Sequence, residues 1–281
     1  FHHKYDSFGE IEISKKNWEH FLKNLNKSNT DLLVEVFDRV SLDIAEQSKR
    51  VDGYKIPSSC IGDHEFIKLV ARTFKSIYLG VGGATLEEIT DALNCIRECN
   101  NDYCTLMPGI QSFPTKLEDS QISMISYLKE KIKYEVGYAD HISAEDLQYR
   151  IILPAMAVSA GATTIEKHIT DDRSKKGRDY FSSLELEEFK EFVYLMKQMP
   201  AVIGDNLEVL SSAQNEYRYL MKQQAVANRE ISEGEKITKE DLSFKRTGVK
   251  GISQNESEKL YGKKINKNKT TDEPITFSDF L

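Results

Sequence analysis

The chain has 281 residues, of which 40% are hydrophobic and 30% are charged, and its formal net charge is −7 at pH 7. This length accommodates one large domain and a small one, with the composition of an ordinary soluble protein. The acidic balance argues against a broad nucleic-acid-binding surface, and no apolar run approaches the roughly 20 residues that cross a bilayer. No secretory signal is visible, so we expect a cytoplasmic protein. Its cysteines are then reduced thiols that serve as small apolar side chains rather than as metal ligands: Cys60, Cys95, Cys99 and Cys104.

Strand-like and helix-like segments alternate from residue 32 onward. A predicted helix at residues 15–25, with Ser14 as its N-cap, precedes them. The predicted strands are residues 32–37, 54–59, 76–81, 103–107, 134–139 and 163–169. The predicted helices that follow them are residues 40–49, 63–74, 85–98, 117–133, 144–159 and 184–198. This alternation predicts an α/β fold with a parallel sheet.

Two architectures fit this order of elements. A (β/α)8 TIM-type barrel needs eight strands, and this sequence supplies six strand–helix units after one unassigned helix. We therefore expect a barrel whose first strand–helix unit and second strand lie outside this chain, which begins with Phe1 rather than Met. A six-stranded open, doubly wound sheet is the alternative.

The alternation of strand-like and helix-like segments ends after residue 203. We predict a barrel domain over residues 1–203, a linker over residues 204–220 and a small C-terminal domain over residues 221–281. In that last domain, residues 224–228 are a strand candidate, a turn is expected at Gly234, and Thr238 is placed to cap a short helix. A tail of this size makes a small core, so we expect it to pack on a partner surface.

Two histidines close consecutive predicted strands. His141 ends the run GYADH at residues 137–141, and His168 lies in the run IEKHIT at residues 165–170. Ligands bind at the carboxyl ends of parallel strands, and two neutral imidazoles there can hold one divalent metal. Side chains alternate along a strand, so Glu166 points to the same side as His168, and Lys167 points away. Glu166 then either orients His168 or forms an ion pair at the mouth of the barrel.

Other polar residues follow neighbouring strands. Lys55 and Ser58 suit phosphate or carboxylate binding, and the pair at residues 82–83 is either an anion-binding glycine turn or a tight connection. Gln111 and Phe113 follow the fourth strand and can line a sugar-sized pocket. The charged segment at residues 171–180 is either a functional loop or a solvated run of charges.

Short motifs occur in an order shared with one known family. They are YKIPS at residues 54–58, FPT at 113–115, GYADH at 137–141, IEKHIT at 165–170, GRD at 177–179 and SLE at 183–185. Together they resemble the N-acetylneuraminate (sialic acid) synthase family. The tail, with KRTG at 245–248 and GKK at 262–264, resembles that family's C-terminal antifreeze-like (SAF) domain.

The resemblance implies a (β/α)8 barrel with a SAF domain and a domain-swapped homodimer. It implies an enzyme that condenses phosphoenolpyruvate with N-acetylmannosamine, or a related N-acetylhexosamine, and releases phosphate. The implied cofactor is Mn2+, with Mg2+ or Co2+ as alternatives. Carried over by position, His141 and His168 are the implied metal ligands and catalytic residues, and Lys55 and Ser58 hold phosphoenolpyruvate.

The resemblance also implies residues that bind the sugar. Gln111 and Phe113 correspond to positions near phosphate and sugar, and Asp179 to a residue that binds sugar hydroxyls. Arg246 is implied to reach the N-acetyl group in the site of the other subunit.

The chain departs from the family pattern at several positions. Ala139 stands where serine is usual, Gln111 where asparagine is usual, and Glu35 where a small hydroxyl residue is common, with a charge that opposes an anionic ligand. The family's glutamate and lysine on the first two strands cannot be assigned to this chain. A synthase of legionaminate or pseudaminate type and a catalytically impaired carbohydrate-binding homologue therefore remain alternatives.

Overall fold

The structure is a computed structural model, and it describes residues 9, 12–25, 30–112, 114–204 and 208–280. It divides into two compact units, Phe1–Ile203 and Gly204–Leu281. Within the described residues, no helix is both long enough and apolar enough to cross a membrane.

The N-terminal unit alternates strands and helices as the sequence predicts. Its strands are β1 (Leu33–Glu35), β2 (Gly53–Ile56), β3 (Ser76–Gly80), β4 (Cys104–Met107), β5 (Glu135–Val136), β6 (Tyr138–Asp140) and β7 (Ile165–Lys167). Its helices are α1 (Lys15–Asn24), α2 (Arg39–Ser48), α3 (His64–Ala71), α4 (Leu86–Glu98), α5 (Ser123–Lys131), α6 (Tyr149–Ser159) and α7 (Leu186–Ile203). The paired strands of this unit run parallel, which confirms the predicted α/β fold class.

Strands β5 and β6 are two pieces of one strand position. Gly137 separates them, and its N–H still donates to the carbonyl of Leu106 at 2.8 Å, while the N–H of Ala139 donates to that of Pro108 at 2.8 Å. The sheet order β1-β2-β3-β4-β5 therefore continues through β6 to β7, which pairs with β6. These six strand positions correspond to the six predicted strands.

This sheet is strongly curved. Four strand spacings separate β2 from β7, which would amount to roughly 19 Å in a flat sheet. Nevertheless, Lys55 Nζ on β2 lies 2.6 Å from Glu166 Oε1 on β7. The strands must curl around a shared interior for these two side chains to meet, and the predicted site residue Lys55 lies in that interior.

Apolar side chains between the sheet and its helices form the core of this unit. Fully buried members include Ile56, Ile77, Leu79 and Leu106 from the strands, packed with residues such as Ile96 from α4. The helices begin where the sequence offers side-chain caps, because these accept the free N–H groups of the first turn. Capping side chains are Ser14 for α1, Asp38 for α2, Asp63 for α3 and Thr85 for α4.

Two predicted helices begin several residues later than the sequence pattern suggested. The helix predicted at 117–133 divides into a 3-10 turn, Leu117–Asp119, and α5, because Gln121 adopts a positive φ of 39° between them. The helix predicted at 144–159 begins only at Tyr149. There the Asp146 carboxylate accepts from the N–H groups of Gln148 and Tyr149 and holds the preceding residues in a turn.

Glycines let the carboxyl ends of neighbouring strands approach one another. A Cβ added to Gly82 would lie 1.9 Å from the carbonyl oxygen of Gly109, and one added to Gly109 would lie 2.1 Å from that of Ala139. These contacts require glycine for backbone packing, which supports the tight-connection interpretation of the pair at 82–83.

The C-terminal unit is a small β-rich module. It contains α8 (Ser212–Met221), the antiparallel pair β8 (Gln224–Ala227) and β9 (Leu242–Lys245), and the short helix α9 (Gln254–Ser257). Its core is formed by Ile231, Ile237, Ile252, Ile265 and Ile275 among others. Helix α8 lies in the stretch predicted as a linker. None of its residues is buried, so it has no buried apolar side that the sequence pattern could have revealed.

Candidate active site

The two predicted histidines lie next to each other inside the curved sheet. Asp140 of β6 pairs in register with Lys167 of β7, so the residues that follow, His141 and His168, extend from neighbouring positions. Their ring centroids are 5.1 Å apart with planes at 53°. His141 is only 8% exposed, and His168 is half-buried. The structure therefore brings the pair together at the interior of the sheet.

Hydrogen bonding fixes the form of His141. Its Nδ1 lies 3.2 Å from the carbonyl oxygen of Ala139, which can only accept, so Nδ1 carries the proton and Nε2 keeps a lone pair. Burial, and then the neighbouring His168, lower the pKa of His141 to about 4. At neutral pH this imidazole is uncharged, which is the form that binds a metal.

Lys55 joins this pair through two carboxylates. Its ammonium lies 2.6 Å from Glu166 Oε1 and 3.3 Å from Glu35 Oε1. Burial lowers the pKa of Lys55, but the two carboxylates outweigh it, so the pKa lies above its usual value. Glu166 thus forms the ion pair that the sequence analysis held as an alternative, and it shares the interior with His168.

Lys55, both carboxylates that contact it and His168 line one cavity of about 1400 Å3. Strand residues supply much of its polar lining, and α7 supplies part of its apolar lining. The polar members include Glu35, Lys55, Tyr78, Glu166 and His168. Cations, carboxylates and imidazoles that converge in one concave site are typical of an active site for a small polar substrate.

The charged loop after β7 is tied to the histidine pair. Ser182 Oγ donates to the carbonyl oxygen of His141 at 2.7 Å, and the N–H of Thr115 donates to the same oxygen at 3.1 Å. Asp179 precedes Ser182 by one turn, adopts a positive φ of 56°, and is half-buried. Ser182 was not predicted as a site residue, because a serine that donates to a backbone carbonyl has no distinct sequence signal.

The other predicted site residues within the described part of the chain lie on turns or loops or in the C-terminal unit. Ser58 starts the 3-10 turn Ser58–Cys60 after β2, and Gln111 is exposed after β4, so both follow strands at the same edge of the sheet. Phe113 lies outside the described residues. Arg246 is exposed directly after β9 in the C-terminal unit.

The histidine pair fits a metal ion as a partial set of ligands. His168 Nε2 is buried and has no hydrogen-bond partner among the described residues. The carbonyl bond to His141 Nδ1 is the kind of contact that orients a metal-binding imidazole. The described residues contain no group of three or more His, Cys, Asp or Glu side chains that could hold a metal. Two nitrogen ligands would therefore need oxygen ligands from water or substrate.

Two protein-family models match the two parts of this chain. The NeuB family model matches residues 1–208, and the SAF domain model matches residues 224–281. An N,N'-diacetyllegionaminic acid synthase of Campylobacter jejuni is 30% identical over 268 residues, which cover 95% of this chain and 78% of the relative. A pseudaminic acid synthase of Campylobacter jejuni is 31% identical over 234 residues, which cover 83% and 66%.

A solved structure shows the same likeness. The N-acetylneuraminic acid (sialic acid) synthetase from Leptospira borgpetersenii superposes with a TM-score of 0.69 at 26% identity, covering 79% of this chain and 77% of that one. The family match spans well over half of the sequence. This chain therefore belongs to the NeuB family and is a NeuB-type synthase that carries a SAF domain.

Proposed function

We propose that this protein condenses phosphoenolpyruvate with an N-acetylhexosamine, N-acetylmannosamine in the first instance, to form a nonulosonic acid with release of phosphate. The observation that carries the proposal is that Lys55 and His168 line one cavity in a NeuB-type synthase, with His141 beside His168. Two neighbouring imidazoles suit a metal, and a lysine in the same cavity as one of them suits an anionic substrate.

The reaction requires one bond to form at each of two carbons. C3 of phosphoenolpyruvate bonds to the aldehyde carbon of the open-chain sugar, and the oxygen of a water molecule adds to C2. The C2–O bond to phosphate then breaks, which leaves a 2-keto acid and inorganic phosphate. No oxidant or reductant is needed, and the described residues supply charge and orientation for both carbons.

Each side chain has a role in this scheme. Lys55 holds the carboxylate or phosphate of phosphoenolpyruvate by a charge-assisted hydrogen bond, and Ser58 adds a hydroxyl at the same strand end. Glu166 holds the Lys55 ammonium in place from across the cavity. His141 and His168 would hold a divalent ion through their free ring nitrogens, Mn2+ in the proposal, with Mg2+ or Co2+ as substitutes. When bound, this ion acts as a Lewis acid on the sugar aldehyde.

Two classes of acceptor sugar are candidates for this enzyme. Relatives at 30% and 31% identity are named for legionaminic and pseudaminic acids, and an N-acetylneuraminate-9-phosphate synthase of Drosophila melanogaster is 23% identical. A 2,4-diacetamido hexose is therefore the second candidate for the acceptor. A single acetamido group changes only a few contacts in a pocket. Identification of the product by mass spectrometry therefore distinguishes the two candidate sugars.

The proposal extends to a domain-swapped homodimer that supplies Arg246 to the site of the other copy. The guanidinium of Arg246 is exposed, and its planar fork of donors suits an amide carbonyl. Light scattering coupled to size exclusion gives the number of chains. Mixing an Arg246→Ala chain with a His168→Ala chain should restore activity if the sites are shared between copies.

Phosphate release tests the proposed reaction. The full chain is assayed with phosphoenolpyruvate, Mn2+ and a panel that contains N-acetylmannosamine and 2,4-diacetamido hexoses. Release should require all three components, and mass spectrometry should show the nonulosonic acid. His168→Ala should abolish release, whereas His64→Gln, which changes an exposed histidine on α3, should retain it. Absence of release across the whole panel, or release that persists in His168→Ala, would contradict the proposal.

A further inference from the structure

Two carboxylates contact the ammonium of Lys55, so the negative charge beside it exceeds its own positive charge. Glu35 lies directly opposite it in the β1–β2 register, and Glu166 reaches it from β7 on the far side of the cavity. The two carboxylates and the one ammonium of this cluster carry a net charge of −1. An anion that approaches Lys55 therefore meets repulsion as well as attraction.

The two carboxylates are not equivalent. Glu166 lies 2.6 Å from Lys55 and its side chain is 27% exposed, whereas Glu35 lies 3.3 Å away and its side chain is 38% exposed. The longer and more hydrated contact is easier to exchange for another acceptor, because its carboxylate recovers solvation as it leaves.

We propose that Glu35 is an internal competitor for Lys55 that sets the affinity of this site for phosphoenolpyruvate. In the free protein, Glu35 occupies one donor position of the Lys55 ammonium. When phosphoenolpyruvate binds, one of its anionic oxygens replaces the Glu35 carboxylate, and Glu166 keeps the lysine in place. This inference rests on the proposed function, and it makes Glu35 a residue that tunes substrate affinity without contact with the reacting carbons.

The competition has a functional consequence. Phosphoenolpyruvate binding must overcome the Lys55–Glu35 pair, so its affinity is weaker than the lysine alone would give. As phosphate or product leaves, the Glu35 carboxylate returns to Lys55. This exchange favours release of the anion. The effect of Glu35 should therefore fall on the dissociation constant and KM of phosphoenolpyruvate and leave the chemical step nearly unchanged.

Calorimetric titration with phosphoenolpyruvate, in the absence of sugar, tests this directly. Glu35→Gln keeps the size of the side chain and removes its charge, and we expect binding to tighten roughly five- to tenfold. Glu35→Thr removes the same charge with a shorter side chain and should shift affinity in the same direction. Glu35→Asp keeps the charge and should bind within about twofold of the parent chain.

A matched control excludes a general effect of net charge. Glu65→Gln removes one negative charge from an exposed position on α3 and should leave the affinity unchanged. In the phosphate-release assay, Glu35→Gln should lower the KM of phosphoenolpyruvate by the same factor, while kcat stays within about twofold.

The outcomes separate this inference from the proposed function. If the parent chain binds phosphoenolpyruvate and releases phosphate, but neither Glu35→Gln nor Glu35→Thr binds more tightly, the competition is overturned and the synthase activity stands. If Glu65→Gln tightens binding as much as Glu35→Gln, the competition is overturned as well, because net charge then explains the effect. If no variant and no parent chain binds phosphoenolpyruvate, both proposals fall.

Discussion

Lys167 and Asp140 form an ion pair behind the histidine pair, on the outward side of the same two strands. Their Nζ and Oδ2 atoms are 2.6 Å apart, and their side chains are 1% and 0% exposed. Asp140 Oδ1 also accepts from the N–H of Ile142 at 3.1 Å, in the segment that follows His141. Burial raises the pKa of Asp140, although Lys167 acts against this shift. The pair cross-links β6 to β7 at the point where both histidines leave the sheet.

Removing one partner of this pair should be costly. Asp140→Asn leaves the Lys167 ammonium buried without a compensating charge, so we expect a loss of about 3–5 kcal/mol in the free energy of unfolding. Urea unfolding followed by the fluorescence of Trp18, the single tryptophan, reports on the N-terminal unit. Asp43→Asn is the control, because Asp43 only pairs with Arg39 at 3.8 Å on an exposed helix face and should change stability by less than about 1 kcal/mol.

The double variant Asp140→Asn/Lys167→Met tests the physical reason. It removes the uncompensated ammonium as well as the carboxylate, so it should be more stable than Asp140→Asn alone. A double variant that is no more stable than the single one would show that the buried charge is not the cause of the loss.

His141 should make stability depend on pH between about 6.5 and 4. The unfolded chain protonates this histidine below its ordinary pKa near 6.5, whereas burial and His168 keep the folded-state pKa at about 4. Over this interval the unfolded state binds more protons, so stability falls as the pH falls, by about 3 kcal/mol at most for this group. His141→Gln removes the group, and its stability difference from the parent should shrink as the pH is lowered from 7 to 4.5. A constant difference would contradict the shifted pKa.

Metal uptake should depend on both imidazoles. We expect the full chain to take up one Mn2+ in a calorimetric titration, because His168 Nε2 is buried without a partner among the described residues. His168→Ala and His141→Ala should each weaken binding by at least about 10- to 100-fold, the loss that follows even when a group that only orients a ligand is removed. His64→Gln should bind as the parent does. Uptake that survives in both alanine variants would place the metal elsewhere.

Periodicity predicted the parts of this site that depend on one strand. The two-residue alternation predicted Glu166 and His168 on one side of the strand and Lys167 on the other. The side-chain contacts agree, because Glu166 pairs with Lys55 whereas Lys167 pairs with Asp140. The α/β order was equally visible, because each strand and helix has its own apolar period. These features are local, and each needs only a few neighbouring residues to specify it.

Contacts between distant segments were not predictable in the same way. Lys55 and Glu166 are 111 residues apart, and their meeting depends on how far the sheet curls. The charge of Glu35 was recognised as unfavourable for an anion, but its position on Lys55 follows from the β1–β2 register. The start of the helix predicted at 117–133 was also not predictable from the sequence. The apolar spacing of that segment is continuous, but the positive φ of Gln121 divides it.

The loop after β7 should serve the sugar through Asp179. Ser182 anchors this loop to the carbonyl of His141, and the Ser183 hydroxyl donates to the carbonyl of Asp179 at 2.9 Å. We expect Asp179→Asn to raise the KM of the sugar several-fold without a change in stability, because an amide is a weaker acceptor for hydroxyl groups than a carboxylate.

A second variant separates position from chemistry in this loop. Ser182→Ala removes the bond to the buried carbonyl of His141 and should cost about 1 kcal/mol of stability as well as raising the sugar KM. Asp171→Asn changes an exposed carboxylate of the same loop, paired only with Lys175, and should alter neither quantity. The measurement is the KM of the sugar at saturating phosphoenolpyruvate beside a thermal unfolding curve for each variant. If Asp179→Asn leaves the sugar KM unchanged while Ser182→Ala raises it, the loop acts on the site through its backbone, and the carboxylate of Asp179 does not bind the sugar.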